Sequence, residues 1–189
     1  ADDEVWVGIL TGAKTEKGYI FCAGADLKQM SVDPGGMMTE RGGFAGFVKR
    51  ERTKPIIAAV DGPALAGGTE IVLACDLVVA STQARFGIPE VKRSLVAAAG
   101  GLFRLPRKIP FNIAMEAALT GDPISAERAH HFGLVNRLVE PGTAFDAALE
   151  LAEAISVNAP LAVRESRRLV LESITVTDDG EGVRQSGAA

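Results

Sequence analysis

Residues 56–80 read IIAAVDGPALAGGTEIVLACDLVVA. The β-branched run Ile56–Val60 has the length and composition of a buried strand. A small-residue turn follows, then an apolar stretch of helical length, Gly67–Cys75, then a second strand-like run, Leu77–Ala80. Strand, helix and strand in this order is the alternation of α/β folds. One carboxylate, Glu70, stands in the middle, directly after the paired glycines and Thr69. A buried carboxylate is costly unless it is paired, protonated or put to use. Either Glu70 is a first-turn charge that complements a helix dipole, with Gly67-Gly68 as a tight turn, or it belongs to a working site. These residues alone leave both readings open.

Outward from this stretch the alternation continues. Val5–Leu10 and Gly18–Cys22 read as strands, and a helix starts within Ala25–Met30. Ser31–Gly43, with Pro34, Gly35, Gly36, Met37 and Met38, has loop composition and is expected to be mobile; Phe44–Arg52 reads as a helix stopped by Lys54-Pro55. A short extended piece leads into Phe86–Glu90. Beyond it the pattern predicts helices over Gly100–Arg107 and Ile113–Thr120, and one from Ala126 capped by Ser125 and ended by Gly133. A strand at Leu134–Val139 and helices at Ala144–Asn158 and Leu161–Leu171, divided by Pro160, complete the pattern ahead of a polar, Gly-rich tail from Thr175. There is no solenoid-type repeat.

The chain has 189 residues, 47% of them hydrophobic, enough for one domain with a real core. Its net charge of −4 argues against broad electrostatic binding to nucleic acid or an anionic membrane. No apolar run approaches the roughly 18 residues of a membrane span, and the acidic start Ala1-Asp2-Asp3-Glu4 does not resemble a targeting peptide. A soluble, cytoplasmic protein is expected. Cys22 and Cys75 form no C-x-x-C pair and, with only His130 and His131 beside them, make a poor metal-ligand set, so no metal is expected. Adjacent histidines on a short helix point in different directions and suit a surface helix end.

Two segments share one grammar of strand, small-residue turn and helix start: Phe21-Cys22-Ala23-Gly24-Ala25-Asp26-Leu27 and Ala64-Leu65-Ala66-Gly67-Gly68-Thr69-Glu70. Such turns leave backbone N–H groups at a helix N-terminus free of side-chain bulk, and two that converge make an oxyanion hole for a carbonyl gaining negative charge. A second acid, Glu90, follows Pro89, which fixes the local backbone. Alone it suits a surface. Paired with Glu70 it supplies the general acid/base partner that adding water across a double bond requires.

FCAGADLK, KPIIAAVDGPALAGGTE, ACDLVVA, ARFGIPE and LTGDPISAERA occur in register along residues 5–171. In this the chain resembles the enoyl-CoA hydratase/isomerase, or crotonase, superfamily, and among its members the two-glutamate enoyl-CoA hydratases. The resemblance implies an α/β fold built as a spiral of strand-strand-helix turns, with a core over residues 1–140 and the start of a C-terminal helical oligomerisation region over 141–189. Family segments upstream of Val5 and past Ala189 are expected to lie outside this sequence. It further implies N–H donors at Ala25 and Gly67, an acid pair at Glu70 and Glu90, and substrate contacts from Ala23, Ala25, Asp26, Leu27, Lys28, Leu65, Gly67, Gly68, Pro89 and Ala98. The substrate so implied is an acyl-CoA thioester, with no separate cofactor, and the implied assembly is a homotrimer or a hexamer. The expected activity is hydration of a trans-2-enoyl-CoA. An enoyl-CoA isomerase and a non-catalytic acyl-CoA-binding protein are the alternatives; a serine protease lacks both a Ser-His-Asp set and G-x-S-x-G. One departure stands out: where the family has Pro-Gly-x-Gly-Gly, this chain has Ala97-Ala98-Ala99-Gly100-Gly101. Ala98 is expected to narrow the pocket and, if its φ is positive, to cost about 1 kcal/mol or more.

Overall fold

The computed structural model describes residues 2–16, 18–33 and 35–174. The first turn of the chain runs through β1 (Gly8–Thr11), a hairpin of β2 (Lys14–Thr15) and β3 (Gly18–Tyr19), and α1 (Leu27–Val32). A small hairpin, β4 (Met38–Thr39) with β5 (Gly43–Phe44), leads to the second turn: β6 (Ile56–Val60), β7 (Pro63–Leu65) and α2 (Gly67–Ala74). The third turn is β8 (Leu77–Ser81), β9 (Arg85–Gly87) and a 3₁₀ turn at Pro89–Arg93. α3 (Gly101–Arg104), a 3₁₀ turn at Leu105–Arg107, α4 (Phe111–Thr120), β10 (Ile124–Ser125), α5 (Ala126–His131), β11 (Arg137–Val139), α6 (Ala144–Ser156) and α7 (Pro160–Ser173) follow.

The second and third turns of the spiral each contribute one strand to each of two sheets. The first sheet has the order β1-β6-β8-β11, every pairing parallel. The second has the order β10-β9-β7, and an isolated parallel bridge from Cys22 to Ala64 extends it on the β7 side. Parallel strands covered on both faces must be apolar throughout, which is why Ile56–Val60 and Leu77–Ala80 lack alternation. Ile57, Ala59 and Val79 pack against Ala144, Ala148 and Ala152 of α6, while Ala58, Val60, Val78 and Ala80 face the larger core with Val72, Leu73 and Phe86. The alanines of α6 recur every four residues, so one small stripe lets the helix approach the sheet closely.

The strand-helix-strand reading of residues 56–80 holds to within a residue or so at each end. The helices expected over 113–120, 126–133, 144–158 and 161–171 hold to within about two residues at each end, with Pro160 as the first residue of α7 and the Ser125 hydroxyl accepting from the Arg128 N–H; the one expected over 100–107 is α-helical only over Gly101–Arg104 and continues as a 3₁₀ turn. Phe44–Arg52 is not a helix. Gly43, Ala45 and Gly46 take φ of 65°, 53° and 65°, left-handed values that break a right-handed ladder, and Lys49 N–H returns to Gly42 O at 2.8 Å, closing a compact knot of turns. Within the expected loop at Ser31–Gly43, α1 runs on to Val32 and β4 pairs with β5. β1 starts at Gly8 rather than Val5, the expected strand at Gly18–Cys22 reduces to β3 and the Cys22 bridge, and Leu134–Asn136 precedes β11 without joining it. The expected tail from Thr175 lies outside the described residues, as does Pro34. No helix among the described residues is long and apolar enough to cross a membrane.

Candidate active site

Because the spiral stacks its turns, the segments that follow the second-sheet strands lie side by side. Cys22 pairs with Ala64, and Ala64 with Phe86, all parallel. Three residues further along each chain stand Ala25, Gly67 and Pro89, each next to a helix start. Leu65 N–H donates to Cys22 O at 2.9 Å and Ala66 N–H to Gly87 O at 2.8 Å, which ties the three segments together. Thr69 staples the same place: its Oγ1 lies 2.6 Å from Ala64 O and 2.8 Å from Gly87 O, and accepts from Gly87 N–H at 2.9 Å.

The two small-residue turns meet closely. A Cβ placed on Gly24 would lie 2.7 Å from Ala66 Cβ and 3.2 Å from the Gly67 nitrogen, so only hydrogen fits between them. Ala66, the residue before α2, has φ 52° and ψ −125°. A non-glycine held there stores strain of about 1–3 kcal/mol. Neither the Ala25 nor the Gly67 N–H has an acceptor among the described residues. Asp26 caps α1, its carboxylate accepting from Lys28 N–H at 2.8 Å.

Glu70 lies in the first turn of α2 and is 3% exposed. Its Oε1 accepts from Gly101 N–H at 2.9 Å. Burial pushes its carboxyl above the ordinary range, and the negative charge of Glu90 adds to this; the backbone N–H groups of Gly101 and Ala99 and the Arg104 guanidinium pull the other way. Glu90 sits in the 3₁₀ turn after Pro89, with Oε2 buried and without a hydrogen-bond partner. Burial raises its carboxyl too, opposed only by its own backbone. Of the two acids, buried Glu70 has the donors that favour a carboxylate, and half-buried Glu90, with one buried oxygen unpartnered, has the surroundings that favour the neutral acid.

Glu90 borders a groove of about 360 Å³, and Glu70 stands behind Gly101 of its lining. Glu90 and Gly101, the residue holding Glu70, line its head; Leu95, Phe111, Met115 and Leu119 are among the apolar side chains beyond. Among the described residues no cluster of His, Cys, Asp or Glu has the makings of a metal site.

Of the residues singled out from sequence, Ala25, Gly67, Gly68, Glu70, Pro89 and Glu90 come together, Leu65 lies on the strand leading in, and Ala23, Asp26, Leu27 and Lys28 bracket the start of α1. Ala98 corrects the expectation. Its φ is not positive, its side chain is exposed, and it does not line the groove, where Ala97 does. The left-handed demand falls instead on Gly100, at φ 119°. Sequence reading missed the wall formed by α4, and it missed Arg104 and Phe44, which reach the site from α3 and β5. Phe111 and Met115 carried the i, i+4 signal of a helix face, but nothing marked that face as a wall of this groove.

A two-layer spiral of this kind with paired acids at its turns is the architecture of crotonase-like proteins. The enoyl-CoA hydratase/isomerase family model matches residues 1–182, and the chain belongs to this family. It is 44% identical over 178 residues to "Enoyl-CoA hydratase EchA19" of Mycobacterium tuberculosis, covering 91% of this chain and 65% of the relative. To "Mevalonyl-coenzyme A hydratase sidH" of Aspergillus fumigatus it is 47% identical over 163 residues, covering 85% and 59%. The solved structure of enoyl-CoA hydratase EchA1 from Mycobacterium marinum superposes with a TM-score of 0.90 at 55% identity, over 98% of this chain and 71% of that one. The chain thus spans about two thirds or less of the length of these curated relatives.

Proposed function

We propose that this chain carries the hydration site of an enoyl-CoA hydratase, adding water across the double bond of a trans-2-enoyl-CoA thioester. The observation that carries the reading is a pair of neighbouring carboxylates, buried Glu70 held by backbone N–H groups and half-buried Glu90 with an unpartnered buried oxygen, beside an apolar groove that Glu90 and Gly101 line. The thioester oxygen accepts from the Ala25 and Gly67 N–H groups, which draws electron density from the β-carbon. Glu70, ionised, takes a proton from water as the water oxygen bonds to the β-carbon. The carbon–carbon π pair moves toward the thioester, and the α-carbon takes the proton of neutral Glu90. Glu70 ends protonated and Glu90 ionised, and exchange with solvent restores both. Residues 23–28 receive the CoA side of the thioester, and the groove beyond Glu90 receives the acyl chain.

No separate cofactor enters this scheme. A homotrimer or hexamer is part of the same reading, supported by the exposed apolar side chains of Phe111 and Leu119 on α4, each 68% accessible, and by the presence of α6 and α7. The test is loss of enoyl absorbance with short and long trans-2-enoyl-CoA substrates, with chromatographic identification of the 3-hydroxyacyl product. A shifted double bond with no hydroxyl gained identifies an isomerase instead, and acyl-CoA binding without turnover at any chain length refutes the catalytic reading.

A further inference from the structure

We propose that Arg104 is a positioning residue whose guanidinium clamps together the two halves of the site, the turn that holds Glu70 and the turn that backs the Gly67 N–H. Its Nη1 donates to Ala99 O at 3.1 Å and its Nη2 to Val48 O at 2.6 Å. Ala99 belongs to the Ala97–Gly101 turn, whose N–H groups receive Glu70. Val48 belongs to the knot of turns after β5, where its N–H returns to Phe44 O. The Phe44 ring lies so close to Gly67 that a Cβ added there would be 2.4 Å from Cε1. Phe44, Val48 and Ile71 form one small buried cluster, with Ala25 and Ala99 packed against it. The two carbonyls come from segments far apart in sequence, and a planar fork spans both where a point charge does not.

The local chain makes room for this clamp. A Cβ on Gly100 would lie 2.0 Å from Arg104 Nη1 and displace the guanidinium from its place, and Gly100 also holds φ at 119°, which favours glycine there. The guanidinium rests over the Phe103 ring, 4.9 Å from its centroid, which limits its other rotamers. The charged groups acting on Glu70 are Glu90 from the 3₁₀ turn and Arg104 from α3. Arg104 therefore supplies an opposing positive charge beside the Gly101 and Ala99 donors, and its loss leaves burial less opposed in raising the Glu70 carboxyl.

This role rests on the proposed hydratase reading for its kinetic arm only. The titration of Glu70 is read without substrate, from infrared carboxylate bands in the difference between each protein and its Glu70→Gln counterpart. In Arg104→Met the titration is expected to move upward; kcat should fall by about tenfold or more with KM within about threefold, because misplacement of reacting groups costs rate rather than binding. In Arg104→Lys the charge is kept and the fork is lost, so the titration should return close to wild type while kcat recovers only in part. An unmoved titration in Arg104→Met, or a loss that follows unfolding in a melt with kcat per folded molecule unchanged, overturns the proposal. If Arg104→Met does not fold, Arg104→Lys decides: lowered kcat with a normal titration supports the clamp, and unchanged kcat overturns it. Should wild type hydrate nothing, the hydratase reading fails, and the titration alone decides for or against Arg104.

Discussion

Glu70→Gln separates a working acid from a helix-end charge, because the two readings give opposite signs in stability. The side chain is 3% exposed and its Oε1 accepts from Gly101 N–H, a bond that the Gln amide oxygen is able to keep. The side-chain volume is therefore kept, while the charge and the basicity are lost and one oxygen becomes an NH2 donor. If Glu70 served the helix dipole, the substitution would remove about 0.3–1 kcal/mol of stability. The site says otherwise. Burial raises the folded-state carboxyl above its ordinary value of 4.5. A raised carboxyl contributes stability that is fully present below the unfolded value and is lost as pH rises through the folded one. Glu70→Gln is thus expected to be more stable than wild type at neutral pH, with the gain shrinking to nothing as pH falls below about 4.5. At the same time hydration should fall by about 10²- to 10⁴-fold, the range for a lost general base. Urea melts across this pH range and enoyl absorbance at neutral pH measure both. A variant that is less stable at neutral pH and still hydrates at near wild-type rate would refute the reasoning.

Glu90→Gln should lower hydration by about 10²-fold or more and remove the alkaline limb of the kcat profile, since the neutral form of Glu90 is the one that donates; a retained alkaline limb assigns it to another group. Ala98→Gly, at an exposed position without positive φ, should change stability by no more than about 1 kcal/mol and leave chain-length preference within a fewfold, which competition between short and bulky enoyl-CoA substrates checks. At Ala66, with φ 52°, replacement by Gly should raise or preserve the melting temperature while Val lowers stability by about 1 kcal/mol or more; a stabilising Val would contradict the strain.

How far the chain was legible differs from segment to segment. β6, α2 and β8 were readable because fully buried parallel strands and the helix between them are made of long unbroken apolar runs bounded by turns. Phe44–Arg52 was misread as a helix. Its apolar spacing suits one, but a left-handed Ala45 between two left-handed glycines depends on Lys49 and Gly42 closing the knot, and no local pattern encodes that closure. Ala98 attracted notice as a break in a motif, while the conformational demand fell two residues later on Gly100.

What the sequence by itself determined was the strand-helix alternation around residues 56–80, the C-terminal helices, the resemblance to the family, and the two candidate acids and two candidate donors, because each is written in contiguous residues. What only the tertiary structure decided was their company: the Gly101 N–H on Glu70, the unpartnered oxygen of Glu90, the α4 wall of the groove, and Arg104 between Ala99 and Val48. Those contacts join segments 31 to 56 residues apart in the cases of Gly101 with Glu70 and Arg104 with Val48. Local propensity acts over a few residues, so the protonation and position of each acid are set by what the spiral brings beside it.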